Sequence, residues 1–382
     1  IQEYRQNEQL WELAVSLELL GSLNLAVSLN TKQTGNNLEE AGNALNEALQ
    51  LFERLGDLRE YSYTLLLLGG YHAYLQNWDE AISKWQEAQA KFDQIGDTIT
   101  SLHWLLGDLL FKIGDYDRAF KYYQRIRNKY LQRGQKRIAA YALSFESMQA
   151  LRYSDIQHAR ATREESLLLS QGVDDEFGEA WSTWEMGEIE RVAGNYKEAL
   201  RWFENARLLF TNVNEGNGLI FYHRGLGDIA LAERAYSQAY AQFHQSYKHA
   251  ENLRFNWGAA YALAGMGRAE SARQNFAAAV KHLSKSLQSV NSIEDAGLAL
   301  LVLFSCANLY AARDEIEQAA EISILVAGHF ATWMEIKKLA SNLIRKLGSS
   351  YSIQLDAEHI ETDQHIIWQQ IHRLLEKDFK PA

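Results

Sequence analysis

The hydrophobic positions of this chain recur with a period of about 40 residues. Each period holds an alanine that follows an apolar or aromatic residue by three positions and, in most periods, precedes another by four. This spacing places side chains along one face of an α-helix. The eight alanines lie 40 residues apart, with one interval of 38, at Ala41, Ala81, Ala119, Ala159, Ala199, Ala239, Ala279 and Ala319.

A second recurrent position, twelve residues before each alanine, predicts a second helix. It is small in seven of the eight repeats, as at Gly187, and small residues allow two helix backbones to approach closely. We expect this position to be where helix A of each repeat meets helix B, which carries the alanine. Asn or Asp often stands four residues before the alanine, as at Asn195 and Asp115, and would cap the start of helix B. A glycine such as Gly56 would end it.

The stretches LLGDLLFKIGDYDRAFKYY and EMGEIERVAGNYKEALRWFENA resemble tetratricopeptide (TPR) repeats, whose signature places Leu-Gly on helix A and Ala, Phe and Ala on helix B. The resemblance covers about Gln9 to Gly328. It departs from the family in its 40-residue period, against a usual period of about 34, and in lacking the closing proline. The fourth repeat keeps only Asp155, Ile156 and Ala159 of the pattern, so we expect it to be irregular.

The predicted fold is all-α, a right-handed superhelical solenoid of about eight TPR-like hairpins. Each hairpin buries its apolar faces only against its neighbours, so the ends of the array need polar caps. We place the repeat superhelix at residues 1–328 and a set of C-terminal capping helices at residues 329–382.

The period, with LGD between repeats, also resembles the C-terminal arrays of bacterial STAND signalling ATPases, including LuxR-like and AfsR-like transcription regulators related to MalT. The stretches AAEISILVAGHFATWMEIKKL and DQHIIWQQIHRLLEKDF resemble the closing helices of such arrays. This resemblance implies a sensor of an inducer or partner that controls an ATPase. The chain begins at Ile1 within a helical pattern, which suggests a piece of a longer protein. The alternative is a stand-alone cytosolic TPR adaptor that clamps a peptide or protein tail.

Composition narrows the choice of partner. The net charge of −11 over 382 residues disfavours direct binding of nucleic acid, which normally needs a basic face.

The single cysteine, Cys306, fits a reducing compartment. The first ten residues are polar, unlike a signal peptide, and the most apolar run, Leu298 to Ala312, is short for a membrane span. We therefore expect a cytoplasmic protein without a membrane segment.

No recognisable catalytic motif is present in the sequence. Phosphate-binding loops, dinucleotide fingerprints, nucleophile elbows and HExxH sequences are all missing. His244 and His249 are five residues apart and would point to different faces of a helix, so a metal pair there is disfavoured. We predict no enzyme activity, no cofactor and no metal site.

The inner face of helix A is the best candidate for a binding surface. Positions 11, 15 and 18 residues before the alanines carry aromatic and charged side chains, a combination typical of recognition surfaces. The predicted ligand groove comprises Tyr63, Trp104, Asp108, Tyr141, Trp181, Trp184, Glu188, Phe221, Arg224, Asp228, Tyr261, Arg268 and Phe304. Trp184 would be an apolar platform, while Arg224 and Arg268 would bind a carboxylate. Each aromatic could instead pack in the seam between repeats. A protein or peptide is the expected partner, with a small-molecule inducer as the alternative.

Overall fold

The computed structural model describes residues 1–6, 8–31, 36–96, 100–351 and 364–379. Within these ranges the chain is α-helical and contains no strand, as the sequence predicts. The described helices are α1 (Gln2–Gln6), α2 (Leu10–Thr31), α3 (Asn36–Leu55), α4 (Leu58–Tyr74), α5 (Trp78–Gln94), α6 (Thr100–Lys112), α7 (Tyr116–Gln132), α8 (Lys136–Arg152), α9 (Ile156–Gln171), α10 (Glu176–Val192), α11 (Tyr196–Asn212), α12 (Gly216–Ala232), α13 (Tyr236–Asn252), α14 (Asn256–Ala272), α15 (Phe276–Ile293), α16 (Ala296–Ala312), α17 (Ile316–Gly328), α18 (Met334–Tyr351) and α19 (Gln364–Lys377).

The chain divides into two compact units, residues 1–109 and 110–382. In the N-terminal unit α2 packs on α3, α3 on α4 and α4 on α5. In the C-terminal unit the pairs α8/α9, α10/α11, α12/α13, α14/α15 and α16/α17 form hairpins. The A helices of these hairpins lie side by side, α8 against α10, α10 against α12, α12 against α14 and α14 against α16. Their shared face carries the site described below.

The recurrent small residues hold the two helices of a hairpin together. All eight repeat alanines are fully buried. A Cβ atom at Gly187 would lie 2.5 Å from the ring of Phe203, and one at Gly227 would lie 2.8 Å from the ring of Phe243. Only glycine leaves room there for the aromatic side chain of helix B. The small position on helix A therefore receives the residue four positions after the alanine.

Helix ends follow the sequence in part. Gly56 closes its helix with a positive φ of 69°, a conformation that glycine adopts without strain. The Asp115 and Asp155 carboxylates each accept the backbone N–H of the residue three positions later. Asn195 stands at the expected cap position but makes no such bond, because its amide donates to Glu190 Oε2 at 2.7 Å.

The fourth repeat is more regular than its sequence suggests. Helices α8 and α9 have ordinary lengths and pack as a hairpin, so the expected local irregularity does not extend to the backbone. The fourth repeat differs from the other repeats in the side chains that pack between its helices. Arg163 occupies the position where other repeats place Phe203 or Phe243, and it is fully buried.

The C-terminal helices belong to the same core as the last repeats. Ile336 and Leu347 of α18 and Ile371 of α19 are buried together with residues of α14, α15, α16 and α17. Helix α16 contacts α14, α15, α17, α18 and α19, and nearly all of its side chains are buried. The predicted division at residues 328 and 329 stays a prediction.

One helix in the described ranges is long and apolar enough to cross a membrane, over Leu10–Val27 in α2. The expectation of no membrane segment rested on the later run, Leu298 to Ala312, alone. Leu13, Ala14 and Leu17 of α2 are buried against residues of α3. Core helices and signal sequences near an N-terminus meet the same criterion of length and composition. The cytoplasmic location therefore stays a prediction.

Candidate ligand-binding cavity

A cavity of about 390 Å³, here called the main cavity, opens on the inner face of the A helices in the C-terminal unit. Most of its lining comes from α8, α10, α12 and the start of α14. The lining residues are Phe111, Ser147, Met148, Leu151, Arg152, Arg163, Trp181, Trp184, Glu185, Glu188, Ile189, Phe221, Arg224, Phe255, Trp257 and Asp295. The size falls within the range of small-ligand pockets, and the lining is mostly apolar, as is usual for such sites.

Aromatic rings from three A helices form the wall of the main cavity. The rings of Trp181 and Phe221 meet edge to face, with centroids 5.0 Å apart, and Trp184 meets Phe221 in the same way at 5.1 Å. Trp257 stacks on Phe221 at 6.1 Å. These are the separations at which aromatic pairs attract one another. The rings therefore hold each other in place and present a preformed apolar surface.

The Arg224 guanidinium lies in the middle of this wall. Its central carbon is 4.7 Å from the ring centroid of Trp184, 4.9 Å from that of Tyr261 and 5.1 Å from that of Phe221. Its Nη2 donates to Glu188 Oε2 at 2.7 Å. Both side chains are largely buried, and burying either charge alone would cost free energy. The ion pair compensates both charges. Arg224 therefore holds a carboxylate of the protein itself.

The ion pair continues into a chain of four charged groups. Glu188 also accepts from Arg191 Nε at 3.0 Å, and Arg191 donates to both carboxylate oxygens of Glu335, at 2.8 and 3.0 Å. Burial alone would raise the pKa of Glu188, but Arg191 and Arg224 together hold it below the ordinary value. Glu188 therefore stays ionised and fixes both guanidinium groups.

A second group of polar residues lies beside this chain. Asp228 accepts from the Tyr261 hydroxyl at 2.9 Å and from Arg268 Nη2 at 3.3 Å. Burial raises the pKa of Asp228, in spite of the neighbouring arginines. Arg268, like Arg224, is thus paired with an acid of the protein. The two arginines that the sequence suggested as carboxylate ligands already have partners.

Arg163 of helix α9 is a buried, charged residue in the lining of the main cavity. It forms an ion pair with Glu185 and donates to the Ser144 carbonyl oxygen at 2.8 Å. Burial lowers its pKa to about 9. The ion pair therefore connects α9 to α10, and both of its residues line the main cavity.

Arg152 differs from the other arginines of the lining. Its guanidinium stacks over the ring of Trp333, 3.6 Å from the centroid. Among the described residues no carboxylate lies within ion-pair distance of it. Its buried Nε has no hydrogen-bond partner, as is also true of Arg163 and Arg224. Burial lowers the pKa of Arg152, and Tyr116 and Asp295 partly offset this effect. The carboxylate oxygens of Asp295 accept from the Leu298 N–H and from Trp257 Nε1.

A second cavity of about 330 Å³ adjoins the main cavity on the side of the helix N-termini. Its lining residues are Tyr141, Ser144, Phe145, Met148, Phe177, Gly178, Trp181, Glu185, Glu215 and Asn217. Met148, Trp181 and Glu185 line both cavities. The two cavities therefore form one continuous depression, which we call the trough.

The predicted groove residues fall into distinct places. Those that line the trough are Tyr141, Trp181, Trp184, Glu188, Phe221 and Arg224. Asp228, Tyr261 and Arg268 form the polar group beside it. Phe304 is buried in the core and lines neither cavity, because α17, α18 and α19 surround its helix. Tyr63, Trp104 and Asp108 belong to the N-terminal unit, where a ligand contact stays a prediction.

Several lining residues lie outside the groove predicted from the sequence. Two of them, Trp257 and Arg152, follow if the predicted positions on helix A are extended by one helical turn in each direction. Trp257 stands 22 residues before Ala279, one helical turn ahead of the counted positions. Arg152 stands seven residues before Ala159, one turn beyond them. Arg163 and Asp295 come from other elements, and no spacing rule along helix A includes them.

Comparison with known proteins agrees with this architecture. The tetratricopeptide repeat family matches residues 66–131. Regulatory protein RapG of Bacillus subtilis (strain 168) is 26% identical over 170 residues, which cover 44% of this chain and 46% of RapG. The match thus spans about half the length of that relative.

Two solved structures resemble the whole chain. A Rap protein complexed with competence and sporulation factor has a TM-score of 0.56 at 15% identity and covers 88% of this chain and 97% of its own. The Rap conjugation gene regulator of the plasmid pLS20, in complex with a Phr peptide, has a TM-score of 0.54 at 13% identity and covers 92% and 98%. At this identity the likeness shows the fold alone, a TPR-like array of helical hairpins.

Proposed function

We propose that this chain is a non-enzymatic interaction array that binds a peptide or an extended protein segment in the trough of its C-terminal unit. The observation that carries the proposal is the main cavity, with its preformed aromatic wall. Rigid aromatic side chains provide a large contact area and lose little entropy on binding. Similar folds have been solved in complex with a peptide and with a factor, which supports a ligand of this kind here.

The charges of the lining favour a mostly apolar ligand. Arg224 and Arg163 are already paired with Glu188 and Glu185, so a ligand need not neutralise them. Burying unpaired charge is costly, whereas apolar side chains that enter the main cavity gain from leaving water. A small apolar inducer would use the same wall and is the second outcome of the test below.

The place of this array in a larger system is a further part of the proposal. We infer that it acts as a sensor region, in which ligand binding changes the activity of a signalling ATPase or transcription regulator in the same protein. A stand-alone cytoplasmic adaptor would use the same trough. The two differ in what the array is joined to, and the full open reading frame distinguishes them.

The experiment is affinity selection of a random hexapeptide library on the immobilised chain, followed by mass spectrometry. The test variant is Trp257→Ala, which removes part of the cavity wall. The matched control is Trp202→Ala, since Trp202 is also half-buried, packs against a buried cluster that includes Met186, and itself lines neither cavity. We expect selected peptides to lose about thirtyfold in affinity with Trp257→Ala, which corresponds to about 2 kcal/mol.

Three other results are informative. Equal loss in both variants would mean that the loss reflects general destabilisation and would remove the trough as the binding site. Unchanged binding in Trp257→Ala would move the site elsewhere on the array. Failure to select any peptide, together with binding of small apolar compounds, would replace the peptide with a small-molecule inducer.

A further inference from the structure

Helix α7 concentrates positive charge in a chain that is acidic as a whole. It carries five basic residues and one acidic residue, whereas the net charge of the chain is −11. Helix α5, which holds the repeat alanine Ala81, has two basic and four acidic residues. The charge of α7 is therefore a local feature of this helix and not a property of the repeat.

A row of basic residues runs along one side of α7. Its members follow one another at intervals of three or four residues, which places side chains above one another on a helix. They are Arg118, Lys121, Arg125, Lys129 and Arg133, the last at the C-cap, and we call them the basic face. Four of the five are exposed, and Lys129 is half-buried. At a rise of about 1.5 Å per residue the basic face is about 22 Å long.

Most of the exposed charge of the basic face has no acidic partner. Arg118 binds the Asp115 carboxylate at the start of α7. In the part of the chain that the structure describes, no carboxylate forms an ion pair with Lys121, Arg125 or Arg133. Lys121 and Arg125 are one turn apart, and like charges at this spacing destabilise a helix. Packing within the chain therefore does not account for this row of charges.

The basic face lies on a helix that is firmly attached to its neighbour. Arg127 points away from the basic face and forms an ion pair with Glu146 of α8, and α7 packs along α8. The guanidinium of Arg125 lies 5.5 Å from the ring centroid of Tyr122, which is buried. Contact with a ring restricts an arginine side chain and leaves its N–H groups available to a carboxylate.

The basic face is separate from the trough. No residue of α7 lines either of the two cavities that form the trough. A partner on the basic face and a ligand in the trough would therefore contact different residues.

The surroundings of the basic face favour an acidic protein over a membrane or a nucleic acid. In α7, all of which the structure describes, Leu131 is the one exposed large apolar side chain, so little can enter a lipid layer. The next outer helix, α9, exposes Glu164 and Glu165, and the whole chain is acidic. A long polyanion would meet repulsion beyond α7, whereas a partner with acidic residues over a short length would not.

We propose that the basic face of α7 is a docking surface for a second protein, which binds through an acidic helix whose carboxylates recur every three or four residues. Two helices lying side by side would bring these carboxylates to the row of basic side chains. This inference goes beyond the proposed function, because it adds a second site, and it does not rest on ligand binding in the trough.

The test measures binding of two fluorescent peptides to the full chain by fluorescence anisotropy. Both peptides are held helical by a side-chain staple and have the same composition, with glutamates along one face in the first and around the whole helix in the second. We expect the one-face peptide to bind about tenfold more tightly. Its affinity should fall as the salt concentration rises from about 50 to about 200 mM, since exposed charges are screened.

Charge reversal at two positions assigns the binding to α7. Lys121→Glu combined with Arg125→Glu should lower the affinity for the one-face peptide by about tenfold or more. The matched control combines Lys197→Glu with Arg201→Glu on α11, where both residues are exposed and have the same spacing. It changes the net charge equally and should alter the affinity by less than about twofold.

Equal loss in the two double variants would mean that the peptide responds to overall charge, and equal affinity of the two peptides would mean the same; either result overturns the inference. A short DNA duplex or vesicles containing phosphatidylserine serve as further probes. If either binds more tightly than the one-face peptide and depends on Lys121 and Arg125, the partner is not an acidic helix. Absence of binding by every probe would reject the basic face as a docking surface.

The result is independent of the trough. Trp257→Ala should bind the one-face peptide as the wild-type chain does, because Trp257 lines the main cavity and α7 does not. Loss of binding in Trp257→Ala would place the acidic peptide in the trough and contradict a second site.

Discussion

Trp184 belongs to both the hydrophobic core and the wall of the main cavity. Its side chain is 6% exposed and stacks on Phe203 of helix α11, and the Arg224 guanidinium lies 4.7 Å from its ring centroid. The sequence could place it on the inner face of helix A but could not show how much of it is buried. Truncation of such a residue to alanine costs about 3 to 5 kcal/mol of stability. Trp257, which is half-buried, is therefore the better probe of binding.

The first prediction concerns the repeat alanine. Ala199 is fully buried between the helices of its hairpin, so Ala199→Asp would place a charge where no partner exists. We expect a loss of several kcal/mol in the free energy of unfolding, measured by chemical denaturation. The control is Asn205→Asp, which adds the same charge on the exposed face of α11. Equal stability of the two variants would contradict the assigned repeat register.

The second prediction concerns Glu146, a buried residue of α8. Burial raises the pKa of its carboxyl from 4.5 to about 7, although Arg127 donates to it at 2.5 Å and partly offsets the effect. The Glu146 carboxyl therefore holds its proton more tightly in the folded state than in the unfolded state. Its contribution to stability is complete below about pH 4.5 and is lost as the pH rises through about 7.

Glu146→Gln removes this dependence on pH. The stability of the variant relative to wild type should therefore rise between pH 5 and pH 8, by at most about 3 kcal/mol. Unfolding in urea at the two pH values measures the change. Glu164→Gln, on the exposed face of α9, should show no such trend. A constant difference for Glu146→Gln would mean that its pKa is not raised in the folded protein.

At the scale of helices and hairpins, most of the architecture could be predicted from the sequence because it depends on local spacing. The period of the alanines and small residues gives the helix pairs, and glycines such as Gly56 mark where helices end. The composition of the trough could be predicted only in part. Trp257 and Arg152 follow from the helical period once it is extended by one turn, whereas the burial of Phe304 depends on helices that pack on α16 from later in the chain.

In the fourth repeat, the buried ion pair between Arg163 and Glu185 takes the place of the aromatic packing of other repeats. Arg163→Met should destabilise the protein by about 3 to 5 kcal/mol, because Glu185 would be left largely buried without a cation. Replacing both residues with Met should recover most of that loss, since apolar side chains can fill the seam. Denaturant unfolding of the two single variants and the double variant gives the coupling between the residues. Additive losses would show that the ion pair does not join α9 to α10.

At the scale of the C-terminal unit, the segment between α17 and α18, together with the first turn of α18, joins distant helices. Trp333 donates to the hydroxyl of Tyr116 at 3.1 Å and stacks over Arg152, and Glu335 binds Arg191. A Cβ atom at Gly114 would lie 2.2 Å from the Ala331 side chain, so the backbones approach closely there. The segment thus contacts the loop before α7, α7 itself, α8 and α10, and it fixes one end of the trough.

Loss of this segment's anchor should weaken the whole unit. We expect Trp333→Ala to lower the free energy of unfolding by about 3 to 5 kcal/mol, as for other buried aromatic residues. The control is Phe330→Ala in the same segment, where the side chain is 45% exposed and the expected change is within about 0.5 kcal/mol. Denaturation followed by circular dichroism measures both. Similar stability of the two variants would show that the segment is not docked.

Photo-crosslinking would show where on the array a peptide binds, and the proposed site is the trough. A selected hexapeptide carrying a photoreactive phenylalanine analogue is irradiated with the full chain, and the attachment sites are mapped by mass spectrometry. If the peptide binds in the trough, attachment is expected on the inner faces of α8, α10, α12 and the start of α14, near Trp181, Phe221 and Trp257. Attachment mainly to the outer helices α11 and α13, or to the N-terminal unit, would contradict it.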